Sequence, residues 1–246
     1  RAFAGLCGWN GNASGMILPG GTMANLQGLL LARQAHFPEW QTHGPCALNG
    51  QPKLYRSDAT HFCNDRAAQV IGIGRSGSVA VASSGRGEID LAALEESIES
   101  DRAAGHLPFA VVANGGTTGT GAIDDIGGVA DVCQRHNVWL HVEACYGGGA
   151  LVLETGLRPL DEIGRADSIA IDPHKWFFIP MTAGLLLTRH RDLEIETFDV
   201  DASYIPGDTT VDAFRRGLPT SRRSSGLTIW MTLRAHGWRV IRDAVE

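Results

Sequence analysis

Short apolar runs alternate along the chain with longer stretches in which apolar side chains recur at helical spacing. Residues 22–36 are of the second kind: Leu26, Leu29, Leu30 and the aliphatic stem of Arg33 share one face, which predicts a helix opened by the Gly20-Gly21 pair. Further helices are predicted over residues 64–70, over 91–104 behind Asp90 as N-cap, and over 126–136. Residues 53–57, 109–113, 138–142 and 168–171 read as strands. This rhythm predicts an α/β domain, a three-layer α-β-α arrangement with a mostly parallel central sheet, in which ligands bind at the carboxyl ends of the strands. Two loops interrupt it: residues 38–51, with two prolines and two glycines, and the polar stretch 199–219 around Pro206-Gly207-Asp208, expected to be mobile. The chain has no internal repeat.

Composition narrows the partners. A chain of 246 residues with 43% hydrophobic content can bury one large core or two small ones. A net charge of -6 argues against nucleic-acid binding, and the arginines Arg215, Arg216, Arg222 and Arg223 are too local to track a phosphate backbone. The longest apolar stretch, Gly184-Leu185-Leu186-Leu187, is far shorter than the roughly 20 residues of a membrane helix. Five scattered cysteines without a C-x-x-C pair suggest neither a disulfide framework nor a zinc site. A cytoplasmic protein acting on a small molecule is expected. Opening on Arg1 and stopping at Glu246 inside a helical pattern (residues 233–241), the chain reads as a fragment of a longer protein.

Four polar clusters each follow a strand. In Ser168-Ile169-Ala170-Ile171-Asp172-Pro173-His174-Lys175-Trp176 an apolar strand ends at a turn that presents a histidine and a lysine. Partly desolvated beside a cationic or aromatic neighbour, such a lysine is a competent nucleophile toward an aldehyde; alone it would be a solvated surface residue. In His141-Val142-Glu143-Ala144-Cys145-Tyr146, strand alternation sends His141 and Glu143 to one face. A buried carboxylate there needs a partner, either a protonated ring nitrogen of a cofactor or an arginine. Gly20-Gly21-Thr22 opens a helix whose first amides can bind a phosphate, or is a plain glycine-rich helix start; it is neither a P-loop nor a dinucleotide fingerprint. Asn114-Gly115-Gly116-Thr117-Thr118 offers hydroxyls to a cofactor edge, or caps a turn serving Asp124 or Asp125. His61 is either a ring that stacks on an aromatic group or an ordinary histidine.

Read in order, these clusters resemble the group II pyridoxal-phosphate decarboxylases, the aromatic amino acid and glutamate decarboxylase family within the aspartate-aminotransferase-like fold (fold type I). Asp172-Pro173-His174-Lys175-Trp176 resembles the family's N-P-H-K-W type motif, His141-Val142-Glu143-Ala144-Cys145-Tyr146 its H-V-D-A-A-Y, Gly116-Thr117-Thr118 its G-T-T, and Ser221-Arg222-Arg223 its S-R-R segment before a helix. The resemblance implies a pyridoxal 5'-phosphate-binding large domain over residues 1–246, with an N-terminal segment and a C-terminal small domain outside it. It implies that Lys175 holds the cofactor as a Schiff base, that His61 stacks on the ring, and that Gly21 and Thr22 bind the phosphate. Thr117 or Thr118 would lie near the ring or the substrate carboxylate, Glu143 would face the ring nitrogen, Cys145 would line the same site, and His174 would sit by the Schiff base or the phosphate. It further implies decarboxylation of an L-amino acid to an amine, and a homodimer with a shared active site under a mobile loop.

Two departures matter. Glutamate stands at position 143 where the family has aspartate, one methylene farther from the backbone. Where family members carry a loop tyrosine that protonates the substrate carbon, this chain has Ala213 or Phe214, and the loop's one tyrosine is Tyr204. The second departure motivates an alternative product, an aldehyde. A carbon-carbon lyase of the same fold and a non-catalytic cofactor-binding homologue are the other rivals.

Overall fold

The apolar runs form seven strands in the computed structural model, which describes residues 2–154, 159–200 and 212–246: β1 (Ser14–Leu18), β2 (Pro52–Ser57), β3 (Ser78–Val81), β4 (Leu107–Asn114), β5 (Trp139–Glu143), β6 (Ser168–Ile171) and β7 (Gly184–Thr188). They make one sheet in the order β1-β7-β6-β5-β4-β2-β3. The pairs β3-β2, β2-β4, β4-β5 and β5-β6 are parallel, as the alternation predicts. Strand β7 alone is reversed, antiparallel to both β6 and β1. The sequence pattern does not predict it: its apolar run Gly184–Leu187 has neither period-two alternation nor the β-branched residues that mark β5 and β6.

Eight α-helices flank the sheet: α1 (Ala2–Leu6), α2 (Gly21–His36), α3 (Trp40–His43), α4 (Cys63–Val70), α5 (Leu91–Ala103), α6 (Ile126–His136), α7 (Arg191–Phe198) and α8 (Ser225–Val245), counted among the described residues. Strand alternation divides the core in two. Val111, Ala113, Leu140 and Val142 pack with Leu94 and Ile98 of α5, Val129 and Val132 of α6, and Ile229 of α8. Ala110, Val112 and Trp139 face the other way, onto Leu29 and Leu31 of α2 and Ala67 and Ala68 of α4. Each buried leucine or isoleucine contributes about 1.5–3 kcal/mol, so both sheet faces are held by the same kind of contact. The result is the expected three-layer α-β-α sandwich.

Local signals act as predicted at several ends. Asp90 caps α5, its Oδ1 accepting from the amides of Ala92 and Ala93 at 2.9 and 3.0 Å. The helical pattern over residues 233–241 lies within α8, bent where Gly237 takes a positive φ. The stretch 38–51 is less irregular than expected: Trp40 is buried in α3 with the Arg33 guanidinium over its ring, and a 3-10 turn follows.

Candidate active site

Because β1, β2, β4, β5 and β6 all point the same way, the segments that leave them converge. A cavity of about 250 Å³ at that end is lined by Gly21, Thr22, His61, Glu143, Cys145, His174 and Lys175, together with Thr118, Asn25 and Asp172 among others. Of the predicted residues only Thr117 does not line it. The Thr117 side chain is buried in its own turn, where its hydroxyl accepts from the Ala122 amide and pairs with Thr120; the neighbouring hydroxyl, Thr118, reaches the cavity. Tyr204 lies outside the described residues.

Lys175 sits in the turn after β6, its amide donating to the Asp172 carbonyl at 2.9 Å. Its Nζ lies 3.2 Å from Asp172 Oδ2, so the nearest charged partner is a carboxylate rather than the cationic or aromatic neighbour expected from sequence. The chain has one other lysine, Lys53, at the start of β2 and so at the opposite end of the sheet, where its Nζ donates to the Ser76 carbonyl. Lys175 is therefore the lysine at the carboxyl ends of the strands. His174 Nδ1 lies 2.7 Å from the Ala183 carbonyl and 3.3 Å from the Ala183 amide; the shorter contact favours a proton on Nδ1, and Nε2 faces Asp172 at 3.9 Å.

Glu143, at the end of β5, is buried. Its Oε1 accepts from the Cys145 amide at 3.0 Å, whereas Oε2 has no hydrogen-bond partner among the described residues, an arginine included. Burial lifts its carboxyl above the ordinary range, against the bonds from Cys145 and the positive charges of Lys175 and His61. Burial likewise pushes the Cys145 thiol well up, so that it stays neutral and serves as part of the cavity floor. His61 Nδ1 accepts from the Cys63 amide at 3.2 Å, fixing the imidazole at the start of α4.

The sequence reading missed what ties α2 to the sheet. His141 is wholly buried; its Nε2 donates to Asn25 Oδ1 at 2.8 Å and its Nδ1 accepts from Ser168 Oγ at 2.8 Å, while Trp139 Nε1 donates to the same Ser168 oxygen. Asn25 Nδ2 donates in turn to the Gly21 carbonyl at 3.0 Å. Burial lowers the His141 imidazole to about 3, so it works as a neutral hydrogen-bonding link. Gly28 lets α2 come this close: a Cβ there would lie 2.6 Å from His141 Cε1. The network aims the first turn of α2 at the cavity. Its signal in the sequence was one polar residue, Asn25, on an otherwise apolar helix face.

A larger cleft, about 1060 Å³, opens at the opposite end of the sheet beside Trp139, Asp167, Arg189 and His190. Although burial pushes the Asp167 carboxyl up, bonds from His190, the Leu140 amide and Arg189 hold it below the usual range. Its charge is already answered, and the chemistry lies at the carboxyl ends.

Comparison with known proteins agrees with this geometry. The family model described as the pyridoxal-dependent decarboxylase conserved domain matches residues 3–246. The chain belongs to that family. It is 35% identical to the aromatic-L-amino-acid decarboxylase of Bacillus atrophaeus over 249 residues, covering 98% of this chain and 50% of that one. It is also 35% identical to the acidic amino acid decarboxylase GADL1 of Mus musculus, covering 97% and 44%. The chain thus spans about half the length of the curated relatives it matches. Among solved structures, mouse CSAD in its apo form superposes with a TM-score of 0.93 at 32% identity, covering 98% of this chain and 51% of that one. Oryza sativa TDC with PLP and tryptamine gives 0.89 at 27%, covering 98% and 52%.

The family's cofactor is pyridoxal phosphate, and the residues of the cavity fit it. Glu143 offers a buried carboxylate oxygen without a partner, suited to a protonated ring nitrogen. At Gly21 a Cβ would lie 2.5 Å from Cys145 Sγ and 2.7 Å from Asp172 Oδ2, so the start of α2 admits no side chain there and leaves its backbone to a ligand. Lys175 is the amine within the same cavity.

Proposed function

We propose that this chain is the cofactor-binding part of an enzyme that decarboxylates an L-amino acid to the corresponding amine and carbon dioxide. The observation that carries the reading is the meeting of Lys175, Glu143 and the Gly21 end of α2 in one cavity, in a member of the pyridoxal-dependent decarboxylase family. Pyridoxal phosphate, when bound, supplies a carbonyl that condenses with an amine and a ring that takes up the electron pair left when carbon dioxide departs. Lys175 provides the amine that ties the cofactor to the chain and yields its place to the substrate amine. Glu143 holds a proton at the ring nitrogen, which preserves the ring's pull on electrons; being buried, it does so with little competition from water.

Gly21 and Thr22 take the phosphate through the first amides of α2 and the Thr22 hydroxyl. His61, held through Nδ1 by the Cys63 amide, would be the imidazole at the cofactor ring. His174 keeps its proton on Nδ1 for Ala183 and presents Nε2 to the Lys175 side of the cavity as a proton carrier. Cys145 closes the floor, the Thr118 hydroxyl faces the substrate side, and Thr117 holds the turn that carries it. The working form is a homodimer in the cytoplasm. Exposed Phe62, Phe178 and Met181 support a second copy covering this end of the sheet, and the buried thiols of Cys63, Cys133 and Cys145 support a reducing setting.

The test is to supply the full-length protein and cofactor with aromatic, acidic and basic amino acids and to measure carbon dioxide, amine, aldehyde and peroxide together. Amine equal to carbon dioxide is the expected result. Aldehyde with peroxide would replace it by the oxidative reaction that the residues at 213 and 214 motivate, and cofactor binding without turnover on any of them would overturn it.

A further inference from the structure

The turn that delivers Lys175 also delivers a carboxyl group to the end of the cavity proposed to take the cofactor's phosphate. Asp172 is 5% exposed and lines the cavity with Gly21. A Cβ at Gly21 would come 2.7 Å from Asp172 Oδ2 and 3.0 Å from Oδ1, so this side chain lies directly against the first residue of α2. Its Oδ2 meets Lys175 Nζ at 3.2 Å, and its buried Oδ1 has no hydrogen-bond partner among the described residues. The Asp172 carboxylate therefore lies against the first residue of α2, the helix end proposed above to take the cofactor's phosphate. Two anions sharing one dry site repel each other strongly.

We propose that Asp172 takes up one proton when the cofactor binds, so that Oδ1 becomes an O–H that donates to a phosphate oxygen in place of a charge that repels it. The inference rests on the reading of this cavity as the cofactor site. The proton comes from solvent and stays on the carboxyl group while the phosphate is held. The groups around Asp172 agree with this. Lys175 and His174, from its own turn, are the cations that favour its charged form; Glu143 and Cys145 at the end of β5 and His61 and Cys63 at the start of α4 complete the titratable wall; the first turn of α2 adds only backbone amides and the Thr22 hydroxyl. Burial already lifts the Asp172 carboxyl above the ordinary range against Lys175, His174 and the Gly21 amide.

The experiment compares the full chain with Asp172→Asn, which keeps the shape and carries a permanent N–H donor, and with the short, neutral Asp172→Ser. Dissociation constants for pyridoxal phosphate, and for pyridoxal, which lacks the phosphate, are read by absorbance from pH 6 to 9. The ratio of the native to the Asp172→Asn constant for pyridoxal phosphate should rise by up to about tenfold per pH unit, the signature of one linked proton. At the alkaline end both variants should bind pyridoxal phosphate, relative to pyridoxal, at least about ten times more tightly than the native chain does, because removing the Asp172 partner of Lys175 acts on both aldehydes whereas the repulsion acts on the phosphate alone. Parallel pH profiles, or an equal gain for pyridoxal, would overturn the proposal while leaving the cofactor site standing. Failure of every protein to bind pyridoxal phosphate would remove the cofactor site itself, and this inference with it.

Discussion

Replacing Asn25 by leucine removes the link between β5 and the start of α2 at nearly constant volume. His141 Nε2 then keeps a buried N–H without an acceptor, which costs about 1–3 kcal/mol, and the bond from Asn25 to the Gly21 carbonyl, about 1 kcal/mol, is lost as well. The sum is about 2–4 kcal/mol. In a chain of this size that lowers the melting temperature by roughly 5–15 °C, measured by circular dichroism on Asn25→Leu beside the native protein. A second variant isolates the cause. If the unmet N–H is what destabilises, adding His141→Phe removes the other partner, and the double variant should be less destabilised than the two single changes summed. A melting temperature within about 1 °C of native, or strict additivity in the double variant, would refute the account of the network.

Other expectations follow from the same geometry. The unfolded chain protonates His141 near its ordinary value while the native state refuses the proton down to about 3; stability should therefore fall as pH drops below about 6.5, by up to about 1.4 kcal/mol per pH unit from this site. His141→Gln should flatten that part of a urea-unfolding series run from pH 7 to 4.5, and an unchanged slope would count against a neutral buried imidazole. Gly21→Ala places a methyl group against Cys145 Sγ and Asp172 Oδ2 and should weaken cofactor binding at least about tenfold in an absorbance titration while the chain still folds. Glu143→Gln should retain bound cofactor yet lower kcat by about 10²-fold or more, since the ring nitrogen loses the carboxylate that keeps it protonated; near-native turnover would remove Glu143 from that role.

Much of the molecule is legible in the chain because its chemistry follows its strands. The runs that build β4, β5 and β6 are mostly apolar and buried, and the polar residues that end them, Glu143 and the Asp172 to Lys175 turn, had to lie at one edge of a parallel sheet. Strands β1, β3 and β7 escaped. β3 is a four-residue edge strand, and β7 is built on a leucine run without the β-branched residues that marked the equally buried β5 and β6. The choice between Thr117 and Thr118 was open because both stand in a turn, where strand alternation no longer dictates direction. The contact of Asp172 with Gly21 joins residues about 150 positions apart and depends on how closely α2 approaches the sheet, a distance that Gly28 and the His141 network set and no local pattern encodes.

The central claim is that Lys175 carries the cofactor, and the chain offers a sharp test because Lys53 is the one other lysine. The protein is saturated with pyridoxal phosphate, reduced with borohydride and digested, and the peptides are mapped by mass. The account predicts the pyridoxyl group on Lys175 in the native chain and its loss, with the visible absorbance band, in Lys175→Ala. A pyridoxyl group on Lys53, or a band that persists in Lys175→Ala, would contradict it.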